Sequence, residues 1–455
     1  MIAEVLNREF VETQLGDVVQ MLDRTEQEVK AADKARSAAD DAEVTSDHLA
    51  ECRVAVKKLE ATGIDTDTPA NVCIARDAVA SVIQSSLEAY YEEAGAVAAP
   101  PAGQGLAPTQ IAITDQRLRP DYSAPTQRLG VRLDNTDARW ALSFLVARGI
   151  SGLRKKHAFR ETPARVPIAN KARLLLVGDW GSGLPRARAV SAQMRTALHG
   201  AEAQGRERHV IHLGDIYFSG FERECRNRFL QHWPVDGGLE QDIGSWCLNG
   251  NHDMFSGGYG YFDTVLGDPR FARQAGTSYF CLENDHWQIF GLDSAYDLIG
   301  LRGDKGDLYG GQAGWLALTR GATPTKKSLL LSHHQLFSAY EKGTPPMEAR
   351  LDPILRSAPA TAWFWGHEHL CAAYKKDEHP FVHHARLIGH GGVPVKPNSA
   401  AVPSGVVYEY RDSLKQLLQN YTRFGFAVLD FDDGQIAVKY ISELGGTPHH
   451  TEVIS

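Results

Sequence analysis

Long apolar runs are missing from this chain. No window approaches 18 uninterrupted apolar residues, so no transmembrane helix is expected. The opening Met1-Ile2-Ala3-Glu4-Val5-Leu6-Asn7-Arg8-Glu9 lacks a basic start and a long apolar stretch, and a signal peptide is not expected. Cysteine is sparse and scattered: Cys52, Cys73, Cys225, Cys247, Cys281 and Cys371, with no C-x-x-C pair. That argues against a disulfide framework and for a reducing, cytoplasmic setting. Positive charge is short as well. Lys and Arg number 48 against 56 Asp and Glu, a net charge of −8, without the basic excess that general nucleic-acid affinity needs. Apolar residues are plentiful, at 43% of 455 positions, enough for one large domain and an accessory one.

Residues 1–95 read as helical. Ile2, Val5, Leu6, Phe10, Leu15 and Val18 recur at helical spacing, and a charged, alanine-rich stretch follows from Glu26 to Leu59. Such helices bury little alone, so a small bundle that self-associates or binds a protein partner is expected. Residues 96–127 are a Pro/Gly/Ala-rich linker by composition. Residues 128–169 read as a connecting helical segment. Its Trp140 to Ile150 stretch reads either as a core-packed helix, in keeping with Arg148 interrupting the apolar part, or as a helix on a membrane surface. From 170 to 443 strand-like and helical patterns alternate, which favours a partly parallel sheet with crossover helices. Two hairpins are expected there, around Glu283 to His286 and around Asp432-Asp433-Gly434. Residues 444–455, with His449-His450, read as a disordered tail.

Five short segments in the 170–443 region carry metal-ligand side chains. They are Gly178-Asp179-Trp180-Gly181, Gly214-Asp215, Gly250-Asn251-His252-Asp253, His333-His334 and Gly366-His367-Glu368-His369. Each follows an apolar run that reads as a buried strand, so the donors are expected on loops leaving the same edge of one sheet. A carboxylate at such a place is costly unless a cation compensates it. Two ions about 4 Å apart need a bridging ligand, which a carboxylate supplies. Asp215, central in the series, is the expected bridge. Asp179 and His369 would complete one ion's protein ligands, and Asn251, His333 and His367 the other's. His367 and His369 would share a face if their segment is extended. Mixed oxygen and nitrogen donors suit Fe, Mn or Zn.

The expected chemistry follows. Water or hydroxide between two ions is a nucleophile near neutral pH, and the ions spread charge developing on phosphoryl oxygens. His252 would face the leaving-group oxygen and give it a proton. Asp253 either orients that imidazole or is a plain helix-start carboxylate. His390, in Gly389-His390-Gly391-Gly392, either approaches the site to bind substrate or is structural.

This set of segments resembles the calcineurin-like metallophosphoesterase superfamily, whose pattern is D-x-H, G-D, G-N-H-[DE], H and G-H-x-H. The resemblance covers roughly residues 170 to 443. It implies a four-layered αββα sandwich of class α/β with mixed sheets, here preceded by an all-α N-terminal region. It also implies a two-metal centre and hydrolysis of phosphomonoesters or phosphodiesters. Family usage of the fourth motif aligns His333 as ligand and leaves His334 second to it or facing substrate. The first motif departs, since Gly181 stands where an imidazole is usual. Purple acid phosphatases show the same loss and supply a tyrosine three residues after the second-motif Asp. Here Phe218 holds that place and Tyr217 comes one residue early. Tyr217 is then either a phenolate ligand favouring Fe(III) or a buried aromatic under the loop.

The expected function is a binuclear-metal hydrolase acting on a phosphorylated small molecule or nucleotide. Monoester phosphatase, cyclic-nucleotide phosphodiesterase and nucleotide pyrophosphatase all fit. A catalytically silent, metal-stabilised binding module is the reading of another class, and His252 argues against it.

Overall fold

The structure, a computed structural model, describes residues 156–455 except 184, 218–219, 221, 256, 298–304, 342, 394, 396, 398 and 417–418. The helical region expected over 1–95, the linker over 96–127 and the Trp140 to Ile150 helix lie outside the described residues. No described helix is long and apolar enough to cross a membrane.

Two sheets carry the fold. One has eight strands in the order β1 (Ala164–Pro167), β5 (Phe280–Glu283), β6 (Trp287–Gly291), β7 (Lys327–Ser332), β8 (Ala360–Trp365), β10 (Val382–Ile388), β9 (Cys371–Tyr374) and β11 (Val406–Glu409). The other has six, in the order β16 (His450–Ile454), β15 (Gln435–Ser442), β14 (Gly425–Asp432), β2 (Ala172–Val177), β3 (Glu207–His212) and β4 (Ile243–Cys247). A small pair, β12 (Ser413–Gln416) and β13 (Gln419–Thr422), stands apart. Both large sheets are mixed: β2, β3 and β4 run parallel, while β14 joins β2 antiparallel. The two expected hairpins are present as β5–β6 and β14–β15.

Strand alternation sorts the core into layers. On β2, Leu174 and Leu176 face Leu329, Leu331 and Phe364 of the other sheet. Leu175 and Val177 point the other way, onto Val190 and Met194 of helix α1 (Pro185–His199). On the far side, Leu330 and Trp363 pack with Leu316 of α3 (Gln312–Ala322) and Met347 and Leu351 of α4 (Pro345–Leu355). (The short helix α2, Asn251–Phe255, belongs to the site.) Three apolar seams therefore separate four layers: helix, sheet, sheet, helix. The strands read as continuous apolar runs because they are buried on both faces. Cys225, Cys247, Cys281 and Cys371 are free and buried.

Three expectations are corrected. The five motif strands do not share one sheet: β2, β3 and β4 lie in the six-stranded sheet, β7 and β8 in the eight-stranded one. The segment before residue 170 is not only a helical connection. Ala164–Pro167 pairs in parallel with β5, held by Arg165 on Glu283. The 444–455 stretch is not a loose tail. His450–Ile454 completes the six-stranded sheet against β15, and Glu452 binds Arg386 and Tyr440. An unpaired β15 edge would leave its backbone groups open, and these residues close it.

One buried ion pair ties this sheet together. Arg173 on β2, 2% exposed, donates to Asp430 on β14 through Nε at 2.6 Å and Nη2 at 2.7 Å. Asp430→Ala leaves the guanidinium buried with only the Ala197 carbonyl and Glu202 as partners. We expect a loss of about 3 kcal/mol in urea unfolding. A loss below about 1 kcal/mol, the range of surface pairs, would show that this pair does not hold the sheet.

Candidate metal centre

Parallel β2, β3 and β4 in register bring their C-terminal ends to one edge, as do β7 and β8. The loops leaving these edges meet across the sandwich. Asp179, Asp215 and Asn251 come from the six-stranded sheet; His333, His367 and His369 come from the other. The backbone there is unusual. Asp179, Asp215, His367 and His369 all have left-handed φ, at 56°, 75°, 68° and 53°. Non-glycine residues adopt this region at a cost that surrounding structure has to hold in place. The G-H-E-H segment is thus not the extended one in which His367 and His369 would share a face. The turns at His367 and His369 send one imidazole to each half of the site. Two glycines are needed by close approach. A Cβ on Gly250 would stand 2.0 Å from Asp215 Oδ1, and one on Gly366 would stand 2.7 Å from Asp179 Oδ2.

The donors form two groups. In the first, the Tyr217 hydroxyl lies 2.9 Å from Asp179 Oδ1, 3.2 Å from Asp215 Oδ2 and 3.0 Å from His369 Nε2. In the second, Asn251 Oδ1 lies 2.9 Å from His333 Nε2 and 3.1 Å from His367 Nδ1. Asp215 reaches both: Oδ2 faces Tyr217, and Oδ1 is 3.4 Å from His333 Nε2. Asp179, Asp215 and His369 make one cluster with ligand atoms within 4.8 Å of one another; His333, His334 and His367 make another.

Lone pairs outnumber protons here. His333 Nδ1 sits 3.0 Å from the Leu213 carbonyl, which only accepts, so Nδ1 carries the proton and Nε2 presents a lone pair to the site. Tyr217 has one proton for two carboxylates and an imidazole. Among the described residues, no Lys or Arg pairs with Asp179 or Asp215. Burial and the neighbouring Asp179 and Asp253 push the Asp215 carboxyl well above its usual range. Burial pushes His333 and His367 well below theirs, keeping them neutral. Burial raises Tyr217, and the two carboxylates add to it. Acceptors crowded in this way fit cations: oxygen-rich donors in the first group, imidazoles and a carboxamide in the second.

The other expected site residues fall differently. His252 is buried, its ring 4.7 Å from that of Tyr217 and its Nε2 3.9 Å from Asp215 Oδ2. Asp253 does not orient that ring. Its carboxylate accepts the backbone N–H groups of Gly250, Asp215 and Ile216 at 2.7 to 3.1 Å, bracing two motif loops against each other. Burial raises its pKa and these three donors oppose the shift. His390 is buried, but its ring lies against Tyr410 and His449, and neither ring nitrogen has a hydrogen-bond partner. The loop's Gly391 bonds Gly178 beneath the site while the imidazole turns toward Gly425. Sequence reading missed Ser294, which bonds His334 from the loop after β6. The signal was there: β6 is one more apolar run ending in polar residues, Asp293-Ser294. Glu368, between the two imidazoles, is buried, bonds Trp365 and Ser338, and is pushed up to about 8 by that burial.

No curated protein matches the chain. Among solved structures, a purple acid phosphatase from yellow lupin (Lupinus luteus) seeds overlaps at TM-score 0.47 and 14% identity, over 63% of this chain and 54% of that one. The chain thus spans about half the length of the lupin protein. GAP50, described as the anchor in the inner membrane complex of Plasmodium, overlaps at 0.45 and 13%, over 63% and 89%. PhoD overlaps at 0.41 and 12%, over 64% and 70%. Overlaps this partial carry no argument about the site. A likeness that spans the motifs themselves does: residues 172–371, from the strand before Asp179 to just past His369, match the family model described as calcineurin-like phosphoesterase.

Proposed function

We propose that the chain is a two-metal hydrolase of phosphate esters. The observation that carries the reading is Asp215, one oxygen toward each donor group. Asp179, Tyr217 and His369 would hold one ion, Asn251, His333 and His367 the other, with Asp215 shared. The donor chemistry suits Fe, Mn or Zn, and a Tyr217 phenolate favours Fe(III) in the first position. When bound, such a pair supplies an acidified water and draws charge from phosphoryl oxygens.

The chain's own residues do the rest. The His252 main-chain N–H donates to Asp215 Oδ1 at 2.9 Å, which holds the bridge in orientation. Its buried ring, 4.7 Å from that of Tyr217, would give a proton to the leaving-group oxygen. Asp253 keeps the two loops in register through backbone bonds. Tyr217 favours phosphomonoesters as the substrate class. Residues 1–95 are assigned, on sequence alone, to self-association or partner binding, and the setting is cytoplasmic.

The test is hydrolysis of an aryl phosphate by the purified chain with added Mn, Zn or Fe, together with anomalous scattering at each metal edge. Two ions and turnover are expected. Absence of turnover under every metal would favour a binding module. His252→Ala separates roles: turnover should fall roughly 10²- to 10⁴-fold while metal content stays near native. Loss of an ion in that variant would make His252 a ligand instead.

A further inference from the structure

His334 poses a question that the two donor groups leave open. Its ring centroid is 4.9 Å from that of His333 and 4.7 Å from that of His367, so geometry alone admits it as a third imidazole ligand. The hydrogen bonds of Ser294 decide otherwise.

Ser294 is fully buried. Its Oγ accepts the backbone N–H of His334 at 3.0 Å and lies 3.1 Å from His334 Nδ1. Among the described residues the hydroxyl has no other partner. If Nδ1 carried a proton, Oγ would accept twice and its own hydrogen would be buried without an acceptor, a cost of about 1–3 kcal/mol. If Nδ1 is bare, the Ser294 hydroxyl is satisfied both ways: it accepts the His334 N–H at Oγ and donates its O–H to Nδ1. The Nδ1 edge is also closed from behind. A Cβ on Gly306 would stand 2.7 Å from both Cγ and Nδ1 of His334 and 2.6 Å from the Ser294 carbonyl oxygen.

We propose that Ser294 is a positioning residue that holds His334 in its Nε2–H form, making His334 a hydrogen-bond donor to a bound phosphoryl oxyanion and not a third imidazole on the metal. A ligand imidazole needs the opposite tautomer, with Nε2 bare and Nδ1–H given away, as His333 shows beside it through Leu213. Two adjacent histidines thus have opposite tautomers, set by a carbonyl in one case and a hydroxyl in the other. The proposal rests on the two-metal reading above.

The experiment uses the full chain loaded with zinc, with inorganic phosphate as the probe. ¹⁵N-histidine spectra, with His334 located by comparison with His334→Gln, should show Nε2 protonated. Protonated Nδ1 overturns the proposal without recourse to any variant. Ser294→Ala should keep both ions and lose roughly 10- to 100-fold in phosphate affinity and kcat/KM. Ser294→Thr, which retains the hydroxyl, should recover most of that loss. His334→Gln, whose amide can still donate, should also keep both ions. Loss of one ion in Ser294→Ala or His334→Gln overturns the proposal and makes His334 a ligand. Failure of the parent reading looks different: the native chain takes up no ion pair while the His334 Nε2–H signal persists.

Discussion

Asp215→Asn is expected to lower aryl-phosphate hydrolysis by roughly 10³-fold or more, the scale on which removed charge stabilisation is felt in an active site. The substitution keeps the side chain's shape and one acceptor for the His252 N–H. It removes the negative charge and turns one of the two group-facing oxygens into an NH2. Since Oδ1 and Oδ2 face different donor groups, either orientation of the amide spoils one of them. Metal analysis should therefore show both ions weakened, with one lost first. The metal-free protein should respond with the opposite sign. There Asp215 is buried beside Asp179 and Asp253, and neutralising it relieves like-charge repulsion, so thermal stability should rise. Equal turnover in native and variant chains would sink the bridge assignment, and a fall in metal-free stability would mean the carboxylate has a structural partner.

Tyr217→Phe carries the second large effect. The hydroxyl touches Asp179, Asp215 and His369 together, while the ring packs at 2% exposure beside His252. Phenylalanine preserves the packing and deletes only the oxygen, so the fold should survive. We expect affinity for the first ion to drop roughly 100-fold, at the upper end of what ligand-orienting changes cost, with the second ion little affected. In the iron-loaded native chain, a phenolate-to-iron absorption band should be present and should vanish in the variant. Unchanged affinity at both ions would return Tyr217 to the role of a buried aromatic under its loop. The one-residue advance of this tyrosine, against the purple-acid-phosphatase spacing, does not prevent its oxygen from reaching the first group.

Local features were legible before folding. Apolar runs marked β2, β3, β4, β7 and β8, because a strand buried on both faces leaves a continuous hydrophobic signature. The donors directly after them were legible for the same reason, since a carboxylate or imidazole at the end of such a run has few uses besides a cation. Even the place of Asp215 between the two donor groups could be read from its rank in the series.

Other features depended on contacts between segments far apart in the chain. Periodicity tells that a strand is buried but not which sheet it joins, so the meeting of two sheet edges at the site was out of reach. Side-chain direction at Asp179, Asp215, His367 and His369 escapes the two-residue alternation, because a left-handed φ breaks it. Asp253 looked like a partner for its neighbour His252, but its nearest donors are backbone N–H groups of Gly250, Asp215 and Ile216. His390, on the loop after β10, was by sequence either a substrate contact or structural; its imidazole turns away from the donor groups toward Gly425. His449-His450 looked like a tail until the open edge of β15 gave it a pairing partner. Amino-acid identity and spacing thus carried the chemistry of this protein, since donor type is a local property. The partners of each donor came from the folded chain, because hydrogen bonds join residues 38, 82 and even 188 positions apart.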